Sequence, residues 1–174
     1  EPTPTPTPTQ CVTYQAEDAS FGGGTITETK NGGYNGSAYL NFPSNGGYVE
    51  FADMGGTGGE ATLNIRFALG NTARTGELIV NGVSQAITFE NTGSWSNWEI
   101  KTVTVDLSSG TGNTIRLEST GQDLANIDEI QIVTGPVPTD VPPTDVPPTD
   151  VPPTDVPPTD VPPTDVPTTD VPST

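Results

Sequence analysis

The stretch ELIVNGVSQAITFE, residues 77–90, reads as a single β-hairpin. ELIV (77–80) and QAITFE (85–90) are short apolar-rich runs, and Asn81-Gly82 stands between them. A two-residue type I′ turn needs φ > 0 at both central positions, which asparagine and glycine tolerate better than other residues. Outward from this hairpin the pattern repeats in both directions. VTYQAE (12–17), TITET (25–29), SAYLNF (37–42), YVEFAD (48–53) and ATLNIRFAL (61–69) precede it; WEIKTVTVDL (98–107), TIRLES (114–119) and NIDEIQIV (126–133) follow. Gly/Asn/Ser turns separate the runs, and no stretch sustains a helical period. Ten short strands with long turns predict an all-β fold, a β-sandwich jelly roll of two antiparallel sheets.

The alternation also names a core. Ala38, Leu40 and Phe42 share one side of their strand, as do Leu63, Ile65, Phe67 and Leu69. Val103, Val105, Leu107, Ile115, Leu117, Ile127, Ile130 and Ile132 supply the rest. Two runs break parity. Trp98 and Ile100 are out of step with Val103, which predicts a β-bulge near 101–102 and an inward Trp98. Ile127 and Ile130 show the same slip, with Asp128 inside it.

Composition divides the 174 residues into three. Residues 1–10 are a Thr/Pro linker, 11–135 a single module, and 136–174 a TDVPP-repeat linker expected to be disordered. The repeat favours polyproline II at about 3.1 Å per residue, so it acts as a spacer on the order of 100 Å long. Fourteen acids and all five basic residues fall within the module. That negative balance argues against nucleic acid and anionic membranes as partners. No apolar run is long enough to span a membrane as a helix.

With one cysteine, Cys11, and no histidine, the chain excludes an internal disulfide, a Cys/His zinc site and a Ser-His-Asp triad. Cys11 is expected to be partly buried at the linker junction. No phosphate-cradling or nucleophile-elbow motif follows a strand. A carboxylate pair for glycoside hydrolysis is the remaining enzymatic alternative, and a structural or adhesive sandwich is another. A binding module fits the sequence better than either.

Several stretches, in order across 12–133, resemble carbohydrate-binding modules of family 35 and the related family 6. They are YQAEDA (14–19), GYNGSAYLNF (33–42), LNIRFALGN (63–71), LIVNG (78–82), TGSWSNWEIKTVTVDLSSGTGNTIRLES (92–119) and ANIDEIQIV (125–133). The resemblance implies a Ca²⁺-stabilised jelly roll that binds sugar without cleaving it. Gln15 and Glu17, two apart on one strand, share a face. With Asp128 and loop carbonyls near Lys30 and Gly33 they form the implied oxygen-only calcium set. The implied sugar site is a loop tyrosine and a loop tryptophan, Tyr34 and Trp95, over Asn126. An aromatic face suits the axial C–H groups of a pyranose, and an amide both donates to and accepts from hydroxyls.

Arg74, in the NTARTG loop, is the candidate for recognising an acidic sugar, whereas Arg66 and Arg116 are expected in surface ion pairs. Leu69 stands where the family pattern has asparagine, and Asn71 is the possible substitute. Asp123 beside the site would attract a cation or repel an acid. The expected partners are a polysaccharide, either uronic-acid-containing pectin or glucuronoxylan, or xylan, and a covalently linked catalytic module. The expected context is a secreted, extracellular plant-cell-wall enzyme, with the module itself monomeric.

Overall fold

A computed structural model of the chain describes residues 9–135. The linker readings for 1–8 and 136–174 lie outside the described residues. The described residues form eleven strands: β1 (Gln10–Gln15), β2 (Ser20–Gly22), β3 (Ile26–Glu28), β4 (Tyr39–Asn41), β5 (Tyr48–Gly56), β6 (Gly59–Ala68), β7 (Arg74–Val80), β8 (Val83–Phe89), β9 (Trp98–Leu107), β10 (Gly110–Glu118) and β11 (Asn126–Thr134). A 3₁₀ turn, Ala16–Asp18, follows β1, so Glu17 stands in that turn and not on one strand with Gln15 as expected. The strand absent from the sequence reading is β2, three residues with only Phe21 as an apolar cue.

All pairings are antiparallel, in two sheets. One runs β3-β4-β11-β6-β9, with β1 also on β11; the other runs β2-β5-β10-β7-β8. The 77–90 hairpin forms as read: Val80 pairs with Val83, and Asn81 and Gly82 have φ of 49° and 82°. Between the sheets lie Leu40, Leu63, Ile65, Phe67, Ile127, Ile130 and Ile132 from one side. Val49, Phe51, Leu78, Phe89, Ile115 and Leu117 face them from the other. Burial of each such side chain stabilises the fold by about 1.5–3 kcal/mol.

The two parity slips resolve differently. Asp128 is the extra residue of a bulge, since the β11–β6 register shifts between Ile127 and Glu129. β9, in contrast, pairs with β6 without interruption from Leu107↔Gly59 to Trp98↔Ala68. No bulge forms near 101–102, so Trp98 and Ile100 face outward, and Ile100 is 54% exposed. Trp98 is therefore not a core residue: tertiary placement of β9 at the sheet edge leaves its outer face free to carry apolar side chains. Cys11 is exposed rather than partly buried, because β1 lies on the open flank of β11.

Candidate functional site

Four loops meet at one end of the sandwich: 29–38 between β3 and β4, 69–73 between β6 and β7, 90–97 between β8 and β9, and 119–125 between β10 and β11. Antiparallel register puts them together, because Asn126 pairs with Ala68, Ala68 with Trp98, and Arg74 with Phe89. Here lies a cleft of about 230 Å³, lined by Glu28, Lys30, Asn31, Asn41, Trp95, Asp123 and Asn126. This volume is below the range for drug-sized ligands and suits a small unit such as a sugar ring. A larger groove, about 450 Å³, runs along the sheet flank past Thr13, Tyr14, Asp18 and Glu50. Its lining includes neither tryptophan and none of the residues 90–97 or 119–126, so the smaller cleft is the better candidate.

Trp95 is half-buried and fixed from several sides. Thr92 anchors its loop: Thr92 N–H donates to Leu69 O at 2.8 Å, and Leu69 N–H donates to Thr92 Oγ1 at 3.0 Å. The ring lies so close to Gly70 that a Cβ there would be 2.5 Å from Trp95 Cδ1. Asn126, at the start of β11, is only 3% exposed yet lines the cleft. Among the described residues its side-chain amide has no hydrogen-bond partner, and it opens onto the cleft, which leaves it free for a ligand.

Tyr34 does not line this cleft. It is half-buried within an aromatic cluster, with ring centroids 5.5 Å from Tyr39 and 6.5 Å from Trp98, both edge-on. Its loop lies across the outer face of the first sheet, where Trp98 Nε1–H donates to Gly32 O at 2.9 Å. Tyr39 is wholly buried beneath it, donating to Glu28 Oε2 at 3.0 Å and accepting from Asn31 Nδ2 at 2.9 Å. Burial and the Glu28 carboxylate raise its phenol pKa above the ordinary 10.0. Tyr39 thus supports the cleft floor through two lining residues. The alternation signal placed Tyr39 outside the core without showing that a loop would cover it.

Arg74 is not a free loop cation. It opens β7 with its side chain 11% exposed, paired with Asp123 and donating to Leu124 O at 3.1 Å. Asn71 is exposed and stands apart from the lining, while Leu69 is wholly buried in the core.

Beside the aromatic cluster is a cradle of oxygens. Glu17 Oε1 accepts from Ser37 N–H at 2.6 Å, Ser37 Oγ at 3.1 Å and Ala38 N–H at 3.2 Å. Gln15 Nε2–H donates to Glu129 Oε2 at 2.8 Å. Gln15 Oε1 and Glu17 Oε2 are buried without any partner. A Cβ on Gly36 would lie 2.3 Å from Glu17 Oε1 and 2.6 Å from Gln15 Oε1, and the φ of +67° there also requires glycine. Asn35 N–H, next in the chain, donates to both oxygens of Asp128. Asp128 is fully buried, and burial raises its pKa despite that donor and Arg66.

Arg66 corrects one expectation: it makes no surface pair but bridges buried Asp128 and Gly33 O, donating to the latter at 2.8 Å. Its Cζ is also 5.3 Å from the Trp98 ring centroid. Arg116 does pair at the surface, with Glu118 at 2.8 Å and Glu50 at 3.6 Å. Lys30 lines the cleft rather than the cradle. Among the described residues no three acid side chains converge as a metal cluster. A cation here would be held by two acids, an amide and backbone oxygen, which is Ca²⁺ chemistry. The orphaned Gln15 and Glu17 oxygens fit such an ion directly, whereas Asp128 and Gly33 are shared with Arg66.

At one end of this two-sheet sandwich the cleft presents a tryptophan and an amide, groups whose chemistry suits a sugar ring. The model for "Carbohydrate binding module (family 6)" matches residues 15–134, and the chain belongs to that family. Its fold matches a family 35 carbohydrate binding module from Clostridium thermocellum, with a TM-score of 0.66 and 34% identity over 71% of this chain and 97% of that one. CBM35 from Paenibacillus barcinonensis matches with a TM-score of 0.66 and 33% identity, over 70% and 97%. The chain is 37% identical over 120 residues to endo-1,4-beta-xylanase B of Cellvibrio japonicus (strain Ueda107), and equally to alpha-L-arabinofuranosidase C of the same organism. Those matches cover 66% of this chain but only 20% and 19% of the two enzymes. The described domain is thus a non-catalytic module of the kind carried within glycoside hydrolases.

Proposed function

We propose that this module binds a sugar unit of a plant polysaccharide of the xylan type, holding an appended secreted enzyme on its substrate. The carrying observation is the near-buried, unpaired amide of Asn126 in the same cleft as Trp95. Trp95 is the stacking platform, Asn126 the hydroxyl reader, and Asn31 and Asn41 add further amides to the lining. Tyr34 lies outside the lining and packs on Tyr39, which bonds the lining residues Glu28 and Asn31. The named xylanase and arabinofuranosidase support a neutral xylan-type ligand. Tethering raises the local enzyme concentration at the polymer without any tight contact.

One observation favours a second reading, an acidic sugar. Lys30 is exposed and lines the cleft, and no acid pairs with it among the described residues. Against it stand Glu28 and Asp123 in the same lining. Ca²⁺ in the Gln15–Glu17 cradle, with Asp128 and Gly33, is the proposed structural cofactor. Bound there, it would supply positive charge to oxygens that otherwise lack partners. Titration calorimetry against xylo-oligosaccharides, glucuronic acid and galacturonic acid separates the two ligand readings. Heat from xylo-oligosaccharides alone supports the first and heat from the uronic acids alone supports the second. Silence from all three sinks both.

A further inference from the structure

We propose that Arg74 is a positioning residue of the sugar cleft, its guanidinium backing the Trp95 ring and tying it to the segment that delivers Asn126. This rests on the reading of the cleft as a sugar site. Arg74 Cζ lies 5.1 Å from the Trp95 ring centroid. The same guanidinium donates to Leu124 O at 3.1 Å and pairs with Asp123 Oδ2. Among the polar and cation–π contacts of the described residues, it is the one side chain that touches both the Trp95 loop and residues 123–124.

Each part of the arrangement constrains the ring. Gly70 abuts its pyrrole edge, where no larger residue fits, and the Thr92–Leu69 hydrogen bonds fix the loop stem. With the guanidinium stacked against it, the indole is held before any ligand arrives. A sugar then stacks without the cost of ordering that side chain. Arginine suits this task and lysine does not, because a planar fork can stack on a ring while its N–H groups bond elsewhere. The same commitments withdraw the Arg74 charge from ligands, so it does not read a sugar carboxylate.

The test uses the full chain labelled with fluorotryptophan, which gives one fluorine resonance for each of the two tryptophans. Trp98→Phe assigns them. In Arg74→Met the Trp95 resonance is expected to shift and broaden while that of Trp98 holds still. The Kd for a xylo-oligosaccharide should rise about tenfold, and Arg74→Lys should recover only part of it. A merely structural role would move both resonances or neither.

A Trp95 resonance at its wild-type position in Arg74→Met overturns the proposal. Should that variant fail to fold, Asp123→Asn loosens the same clamp from a residue whose side chain is 44% exposed. It must move the Trp95 resonance in the direction seen with Arg74→Lys, and an unmoved resonance again overturns the clamp. Wild-type sugar binding by Trp95→Ala, alongside a moved resonance in Arg74→Met, supports the clamp and removes the sugar reading.

Discussion

Removing calcium should lower the thermal stability of this module, and the structure sets the scale. Gln15 Oε1 and Glu17 Oε2 are buried and unpartnered. Each such acceptor costs about 1–3 kcal/mol when left without a donor or cation. An ion that takes both offsets about 2–6 kcal/mol of folding free energy, subject to its affinity. At calcium one hundred times above Kd, linkage alone stabilises by about 2.7 kcal/mol. For a domain of this size about 1 kcal/mol shifts Tm by roughly 3–5 °C.

Differential scanning calorimetry in 1 mM calcium chloride and in excess chelator should therefore differ by about 8–14 °C. Glu17→Gln supplies the internal control. It keeps an acceptor for the Ser37 and Ala38 amides but replaces one orphaned oxygen with a donor. The variant should lose the calcium response while remaining at least as stable as the wild type in chelator. Equal melting temperatures for the wild type with and without calcium would refute the cradle. So would an undiminished calcium response in Glu17→Gln.

Three further outcomes are expected. Trp95→Ala and Asn126→Ala should each weaken binding of a xylo-oligosaccharide by about tenfold or more, and Asn71→Ala should leave calorimetric titration unchanged. Arg66→Met leaves the buried Asp128 carboxylate without its cation and should cost about 3–5 kcal/mol in urea unfolding; a loss below about 1 kcal/mol contradicts the bridge. Tyr39 has a folded pKa above 10.0, so its contribution is complete below that value and is lost as pH rises through the folded one. Stability should thus fall at alkaline pH, and Tyr39→Phe should show a shallower fall in a pH series of unfolding curves.

What the sequence made legible follows from the range of each signal. Strand parity and the Asn81-Gly82 turn are local, and they mark ten of the eleven strands, most of the core and the slip at Asp128. Trp98 shows where local reasoning stops. Its parity conflicts with that of Val103 only if one face of the strand is buried throughout, and a bulge near 101–102 is the local way to reconcile them. In the fold β9 is an edge strand with unbroken pairing to β6, so Trp98 and Ile100 occupy the outer face, half-covered by the loop that carries Tyr34. That loop could not be placed from spacing alone.

The same limit applies to the arginines. Arg66 and Arg74 look alike in sequence, each a cation near polar residues. Their fates depend on partners 62 residues away for Arg66 and 50 away for Arg74. Only the fold shows that Arg66 pairs with a buried acid while Arg74 lies over a tryptophan ring. Both cations are consumed internally, in a module whose acids far outnumber its bases. Lys30 is then left as the one basic side chain lining the cleft. The choice between neutral and acidic sugar therefore turns on whether one exposed ammonium outweighs Glu28 and Asp123. Solvent screening weakens exposed charges of either sign. If the cleft binds sugar as proposed, amide and aromatic contacts, which do not depend on ligand charge, weigh for the neutral ligand.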